Sequence, residues 1–277
     1  MSDLKFVPGQ AVNVRHAMRV GAFRVAEYRL KNMAKWWDAI IAFGIGNPVL
    51  YLVSVGIGIG TLVDHSTGGH GIGGVTYLQF VSPALLASAA MQGMSDEVTF
   101  PVLEGFTWSK YFYAIGGTVI SPKQIVNGIY LAAFIRGVWT VLTYGLILLA
   151  FQAIPVVSFF PLILSSLLAG CGWTAVMMAV SAHIKDDDGF FAIIGRFVIA
   201  PMFLFSGTFY PLSQMPIYLQ WIGWISPLWH STDVGRVLTI NQPTEVWLMV
   251  VHFAYFIAMF IGGFAFTYPV FERRLSE

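Results

Sequence analysis

Apolar residues along this chain gather into six runs, at about 36–63, 76–98, 124–151, 157–183, 189–209 and 246–269, separated by polar stretches. Roughly 20 residues of helix cross the hydrocarbon of a bilayer, so the pattern predicts six transmembrane helices and an all-α polytopic membrane protein. Ahead of them, Val14, Met18, Ala22, Val25 and Tyr28 recur at helical spacing, with Arg15, Arg19, Arg29 and Lys31 on other faces. This predicts an N-terminal interfacial amphipathic helix; a solvated basic helix that only fixes orientation is the alternative. Trp36 and Trp37 mark the membrane entry, Asn47-Pro48 is expected to break the first span near its middle, and Gly56, Gly58 and Gly60 invite another helix to approach.

Two segments fit neither a span nor a free loop. Glu104 to Lys123, EGFTWSKYFYAIGGTVISPK, is amphipathic and Gly-interrupted, and reads as a docking surface. Phe190 to Arg236 begins as a span, breaks at Gly207, and continues as two amphipathic pieces bounded by Pro211, Pro216 and Pro227. With Tyr218, Leu219, Trp221, Ile222, Trp224 and Ile225 the second half is too apolar for solvent, and with its Pro, Gln, Ser and Asp too polar to span. It is expected to fold back as a re-entrant helical hairpin before the sixth helix.

Charge sets the orientation. Seven of the 15 Lys and Arg (Lys5, Arg15, Arg19, Arg24, Arg29, Lys31, Lys35) precede the first span, and Arg273 and Arg274 follow the last. By the positive-inside rule both termini are cytoplasmic, as are the loops carrying Lys110, Lys123 and Lys185; the loops at 64–75 and 152–156 hold no Lys or Arg, and Arg236 falls outside. The expected organisation is a cytoplasmic segment 1–35, a six-helix domain 36–271 and a tail 272–277. Of 277 residues, 57% are hydrophobic and 10% charged, at a mean hydropathy of +0.71. A net charge of +1, placed by topology and not as a patch, argues against nucleic acid. No cleavable signal peptide is expected, and the single Cys171, between Gly170 and Gly172, reads as a small packing residue.

Catalytic chemistry is sparse. The chain has no G-x-x-x-x-G-K-[ST] phosphate loop, nucleophile elbow or H-E-x-x-H pair, and its Ser, His and Asp are too scattered to suggest a triad. Energy, if used, comes from a partner. Asp64, His65 and His70 offer metal donors, but their Gly-rich setting reads equally as a flexible linker, and no metal is expected. Asp186, Asp187 and Asp188 read as caps of the fifth span or as a partner contact. Arg136 and Arg196 lie inside apolar runs, where charge is costly, and are the pathway candidates. Arg196, about two turns from the cytoplasmic end, can snorkel; Arg136, about a dozen residues in, needs an inward partner or a wet cavity.

Taken together, these pieces resemble the permease subunit of ABC type-2 exporters, most closely the permeases of rhizobial nodulation-factor (lipochitooligosaccharide) exporters. The resemblance covers nearly the whole chain. It rests on Pro201-Met202-Phe203-Leu204-Phe205-Ser206-Gly207, Tyr210-Pro211-Leu212-Ser213-Gln214-Met215-Pro216, and Pro227-Leu228-Trp229-His230-Ser231 with Asp233 and Arg236. Asn47-Pro48 to Leu52, Thr107-Trp108, Ser121-Pro122 and Arg273-Arg274-Leu275 support it, although the family usually carries more Arg and Glu in the first cytoplasmic loop and a tighter Thr-Trp to Ser-Pro link. The resemblance implies a non-catalytic half-transporter in the bacterial inner membrane: two copies of this chain above two ATP-binding cassette subunits, which hold the ATP and Mg. It implies a coupling helix after the second span, involving Glu104, Trp108, Lys110, Tyr111, Ser121 and Pro122. It likewise implies re-entrant helices at the outer mouth, with Tyr210, Pro211, Pro216, Tyr218, Trp221, Trp224, Pro227, His230, Asp233 and Arg236. The substrate class it favours is a glycolipid, lipo-oligosaccharide or similar amphiphile; long polysaccharides and hydrophobic drugs are alternatives within the family. A membrane-embedded lipid-modifying enzyme and a scaffold or receptor are the competing classes.

Overall fold

The computed structural model describes residues 14–69, 71–186 and 189–277, without the side chains of residues 14–18, 43 and 57. Lys5, His70, Asp187, Asp188 and the side chains of Val14, Arg15 and Met18 therefore lie outside the described residues. Apart from one bridge between Ile72 and Val75, the regular structure described is helical.

The helices are α1 (Val14–Met33), α2 (Trp37–Leu52), α3 (Gly60–Ser66), α4 (Tyr77–Ser95), α5 (Phe100–Phe106), α6 (Tyr111–Gly116) and α7 (Pro122–Ala150). There follow α8 (Phe159–His183), α9 (Phe190–Ile194), α10 (Ala200–Phe205), α11 (Ile217–Ile225), α12 (Pro227–Ile240) and α13 (Val246–Ser276). Four stretches are long and apolar enough to cross a membrane: Arg19–Ser66, Pro122–Ala150, Val156–His183 and Val246–Ser276. The second predicted run forms the 19-residue α4, and the fifth the shorter Phe190–Phe205.

α4 and α8 form the centre. α4 packs on α7, α8 and α12, and its buried residues run from Tyr77 to Ser95 on all faces. A helix so enclosed meets protein and not lipid, which lets it carry Gln79 and Ser82, while Gln92 opens on a cleft. α13 lies along α8, where a Cβ on Gly263 would sit 2.4 Å from the Ala175 carbonyl carbon. α2 and the α9–α10 pair are peripheral and leave Leu50, Phe197 and Leu204 exposed.

The start of the chain differs from expectation. α1 joins α2 through a single 3₁₀ turn, Ala34–Trp36, and lies against α7 through Gly21, Val25, Ala26 and Arg29. A Cβ on Gly128 of α7 would meet Ala22 O at 2.5 Å, so a glycine is what lets these helices touch. Tyr28, expected on the apolar face, is exposed and Arg29 is buried, because Glu97, in the turn between α4 and α5, meets it there as an ion-pair partner. The chain does not break at Pro48. The proline lies inside α2, which continues to Leu52 before the backbone widens into π-helical turns at Val53–Ile59. Gly56 and Gly60 face Leu78 and Tyr77, whereas Gly58 faces open space. At the fifth run the N-cap is Gly189, at φ +80°, with no side-chain cap, so Asp186 does not cap the helix.

Candidate functional site

α1, α2, α4 and α7, with Phe203 of α10, enclose an open cleft of about 810 Å³. Its inner wall carries a chain of four charges. Arg136 Nη1 donates to Glu97 Oε1 at 2.7 Å and Nη2 to Asp96 Oδ2 at 3.0 Å, while Arg29 Nη2 donates to Glu97 Oε2 at 3.0 Å. Backbone approach makes this possible. A Cβ on Gly137 would lie 2.3 Å from Met94 Cγ and one on Gly93 2.8 Å from Thr140 Oγ1, so α7 and α4 meet at glycines and the middle of α7 lies level with the end of α4. Two guanidinium groups and two carboxylates balance, and their charge-assisted bonds offset the cost of leaving water. Arg29 and Glu97 are buried, whereas the Asp96 side chain is 40% exposed and opens on the cleft. Beyond this cluster the wall is aromatic and amide-rich: Trp36, Tyr51, Trp139, Tyr144, Asn47 and Gln92.

The cluster reaches the predicted docking segment. Arg29 Nη1 donates to the Tyr111 hydroxyl at 3.4 Å, and that hydroxyl donates to Pro101 O at 3.1 Å. Burial pushes the Tyr111 phenol well above its ordinary range, so it keeps the donated proton. Glu104 lines the cleft and accepts from Ser109 Oγ at 2.8 Å. Trp108 is 57% exposed, and Lys110 takes a left-handed backbone at the start of α6. Ser121 and Pro122 are the N-cap and first residue of α7, in a capping box with Gln124. Of the coupling candidates, Trp108 and Lys110 face outward, and Tyr111 belongs partly to the chain's own interior.

Arg196 stands apart from Arg136. It is exposed within the π-helical turn Gly195–Ile199, does not line the cleft, and has no ion-pair partner among the described residues. Asp64 accepts from the Tyr77 backbone N–H at 3.0 Å, and no cluster of three metal donors occurs among the described residues.

At the other end of the bundle, the hairpin's two pieces differ. α11 exposes Tyr218, Trp221 and Trp224, with Pro216 as its N-cap, while Tyr210 and Pro211 are half-buried in the turn before it. α12, expected to be interfacial, is buried nearly throughout, against α4, α8 and α13, from Pro227 onward. Its polar groups make that tenable by bonding inward. Arg236 donates to Gly207 O at 2.6 Å, Thr208 O at 3.3 Å and Phe80 O at 3.2 Å, and stacks over the Phe80 ring at 3.6 Å. Asp233 accepts from Gln242 at 2.7 Å and lies 3.1 Å from His252 Nε2; His252 Nδ1 lies 2.6 Å from His230 Nδ1, and His230 Nε2 3.0 Å from Trp224 O.

Sequence reasoning missed Asp96, Glu97 and His252. The signal for the first two was present: an acidic pair ending one apolar run, with a lone arginine deep in the next. His252, inside an apolar helix, gave no sign of its partner.

Residues 24–240 match the family model described as ABC-2 type transporter. The chain is 25% identical over 259 residues to Nodulation protein J of Rhizobium leguminosarum bv. viciae, covering 89% of this chain and 93% of that protein. It is 27% identical over 225 residues to Nodulation protein J of Rhizobium leguminosarum bv. trifolii and 26% over 225 residues to that of Rhizobium meliloti (strain 1021), each covering 77% of this chain and 80% of the relative. No solved structure matches the chain.

Proposed function

The chain belongs to the ABC-2 type transporter family, and from that premise we propose that it is the permease subunit of an ATP-driven exporter for a glycolipid, lipo-oligosaccharide or related amphiphile. The observation that carries this reading is the cleft. It combines aromatic faces and amide groups with charges already neutralised by one another. Aromatic rings and amides suit a saccharide, the apolar flanks suit an acyl chain, and a balanced charge cluster does not demand an ionic substrate.

In this reading α4 and Phe190–Phe205 complete a set of six spans with the four long stretches, both termini are cytoplasmic, and α11–α12 form the re-entrant hairpin at the outer mouth. The exposed apolar faces of α2 and α9–α10, which flank the cleft, meet a second copy, so that two half-clefts make one path. α5 and α6 dock on each of two ATP-binding cassette subunits, which hold ATP and Mg. Tyr111 and Arg29 then transmit movement of that elbow to Glu97 and Arg136, biasing the path between two packings.

The test has two parts. The chain should copurify with an ATPase subunit whose turnover rises when a lipochitooligosaccharide is added; turnover indifferent to amphiphiles of this class would overturn the substrate reading. In a Cys171→Ser background, a membrane-impermeant thiol reagent should label Ser213→Cys and not Ser109→Cys in intact cells. The reverse pattern would overturn the topology.

A further inference from the structure

Away from the cleft, α8 and α13 border an apolar groove of about 500 Å³, formed by Val176, Val180, Ile184, Met259, Gly262 and Phe266 among others. Gly263 makes the tight contact with α8 at Ala175, and the neighbouring Gly262 opens on the groove with nothing within 4 Å of a Cβ placed there. At its end the groove adjoins a second cavity of about 240 Å³, lined by His183, Lys185, Arg273, Arg274 and Glu277, and His183 borders both. Neither cavity shares a residue with the cleft.

The cations of that rim are not equivalent. Arg274 is committed to the fold: its Nη1 donates to Ala182 O at 2.8 Å and Ile184 O at 3.0 Å, satisfying carbonyls at the end of α8, and its guanidinium stacks on Phe106. His183 uses Nδ1 as a donor to Ala179 O at 2.7 Å. Lys185 and Arg273 are exposed and have no ion-pair partner among the described residues, and Glu277 is the carboxylate among the described residues that line the cavity. An apolar groove that ends at two exposed cations has the polarity of one molecule. We propose that it binds an anionic phospholipid, one acyl chain lying between α8 and α13 over Gly262 and the phosphate meeting Lys185 and Arg273. The inner-leaflet position of this site rests on the topology proposed above; the chemistry of its ligand does not. A lipid bound there bridges the end of α8 to the last turn of α13, the two helices that flank the Ile184–Lys185 turn, and Thr107 of the docking segment donates to Lys185 O at 2.8 Å. Lipid occupancy is thereby placed beside the proposed ATPase contact.

The full-length chain, placed in nanodiscs of equal dioleoylphosphatidylglycerol and dioleoylphosphatidylcholine and then extracted in mild detergent, tests this by native mass spectrometry. The anionic lipid should be retained in about 25-fold excess over the zwitterionic one, since each of the two basic groups contributes about fivefold to binding an anionic headgroup. Lys185→Gln with Arg273→Gln, both at exposed positions, should abolish that excess, and Gly262→Phe should lower retention of either lipid by filling the groove. Equal retention of the two lipids by the unaltered chain would overturn the proposal, as would an unchanged excess in the double variant. Loss of the bound lipid to excess glycerol 3-phosphate would identify a free-phosphate site and overturn it equally.

Discussion

Arg136 meets two carboxylates on the wall of an open cleft, whereas Arg236 meets three backbone carbonyls and an aromatic face inside a closed bundle. Both sit among apolar residues, yet their partners differ in what they tolerate. The carboxylates beside Arg136 belong to side chains, and Asp96 is open to the cleft, so its pair with Arg136 can part and let water take its place at modest cost, while the buried Glu97 keeps hold of Arg29. Carbonyls of Gly207, Thr208 and Phe80 have no such substitute. The first arrangement can serve a moving part; the second is an anchor that ties the end of α10 and the start of α4 to α12. Chemical type alone does not separate the two roles. The partner and its access to water do.

Replacing the anchor should have the largest effect. Arg236→Met removes the donor to the buried carbonyls of Gly207 and Thr208, an unpaired one costing about 1–3 kcal/mol, so the chain should unfold at clearly lower temperature in detergent and accumulate poorly. An unchanged unfolding midpoint would mean that water or backbone shifts replace the guanidinium, and the contrast with Arg136 would vanish.

Glu97→Gln comes next, because this one carboxylate holds both Arg29 and Arg136. A loss of about 2–3 kcal/mol is expected from leaving the buried Arg29 charge uncompensated, against less than about 1 kcal/mol for Asp96→Asn at the cleft edge. Equal losses in chemical denaturation would show that exposure does not grade this cluster.

Arg136→Lys sharpens the comparison differently. Lysine keeps the charge but cannot span Asp96 and Glu97 as a planar fork does, so the unfolding midpoint should hold within a few degrees while substrate export falls about tenfold. Unimpaired export with purified complex would remove the cluster from the transport cycle.

The smallest effect on the permease itself is expected at Trp108. Trp108→Asp alters an exposed side chain, so insertion and stability should be unaffected while copurification of the ATPase subunit declines. Tyr111→Asp should instead damage both, since its hydroxyl is tied to Arg29 and Pro101 and its ring packs on Tyr28 at 5.5 Å. If the two variants behaved alike, the segment 104–123 would not divide into an outer docking face and an inner one.

Much of the plan was readable along the chain. Runs of apolar residues located α7, α8 and α13, and Gly207 with its flanking prolines marked the end of α10 and the turn to α11. Pro48 misled because a proline only removes one donor, and π-helical turns farther along keep the helix going. α12 misled more deeply. Its Pro, Trp, His, Asp and Arg read as an interface, but a polar residue is interfacial only when no partner waits inside, and His252, Gln242 and the Gly207 carbonyl wait there.

Hydrophobic periodicity and the placement of Lys and Arg are local properties, summed over twenty residues or one loop, and they determined that this chain is a helical membrane protein lacking its own phosphate loop. Pairings among Arg29, Asp96, Glu97 and Arg136, and among His230, Asp233 and His252, join residues far apart in the chain. Only the tertiary structure decided them, because a buried charge is stable or not according to what the neighbouring helix brings within about 3 Å, and glycines such as Gly93 and Gly137 set that distance through packing that no single run of sequence contains.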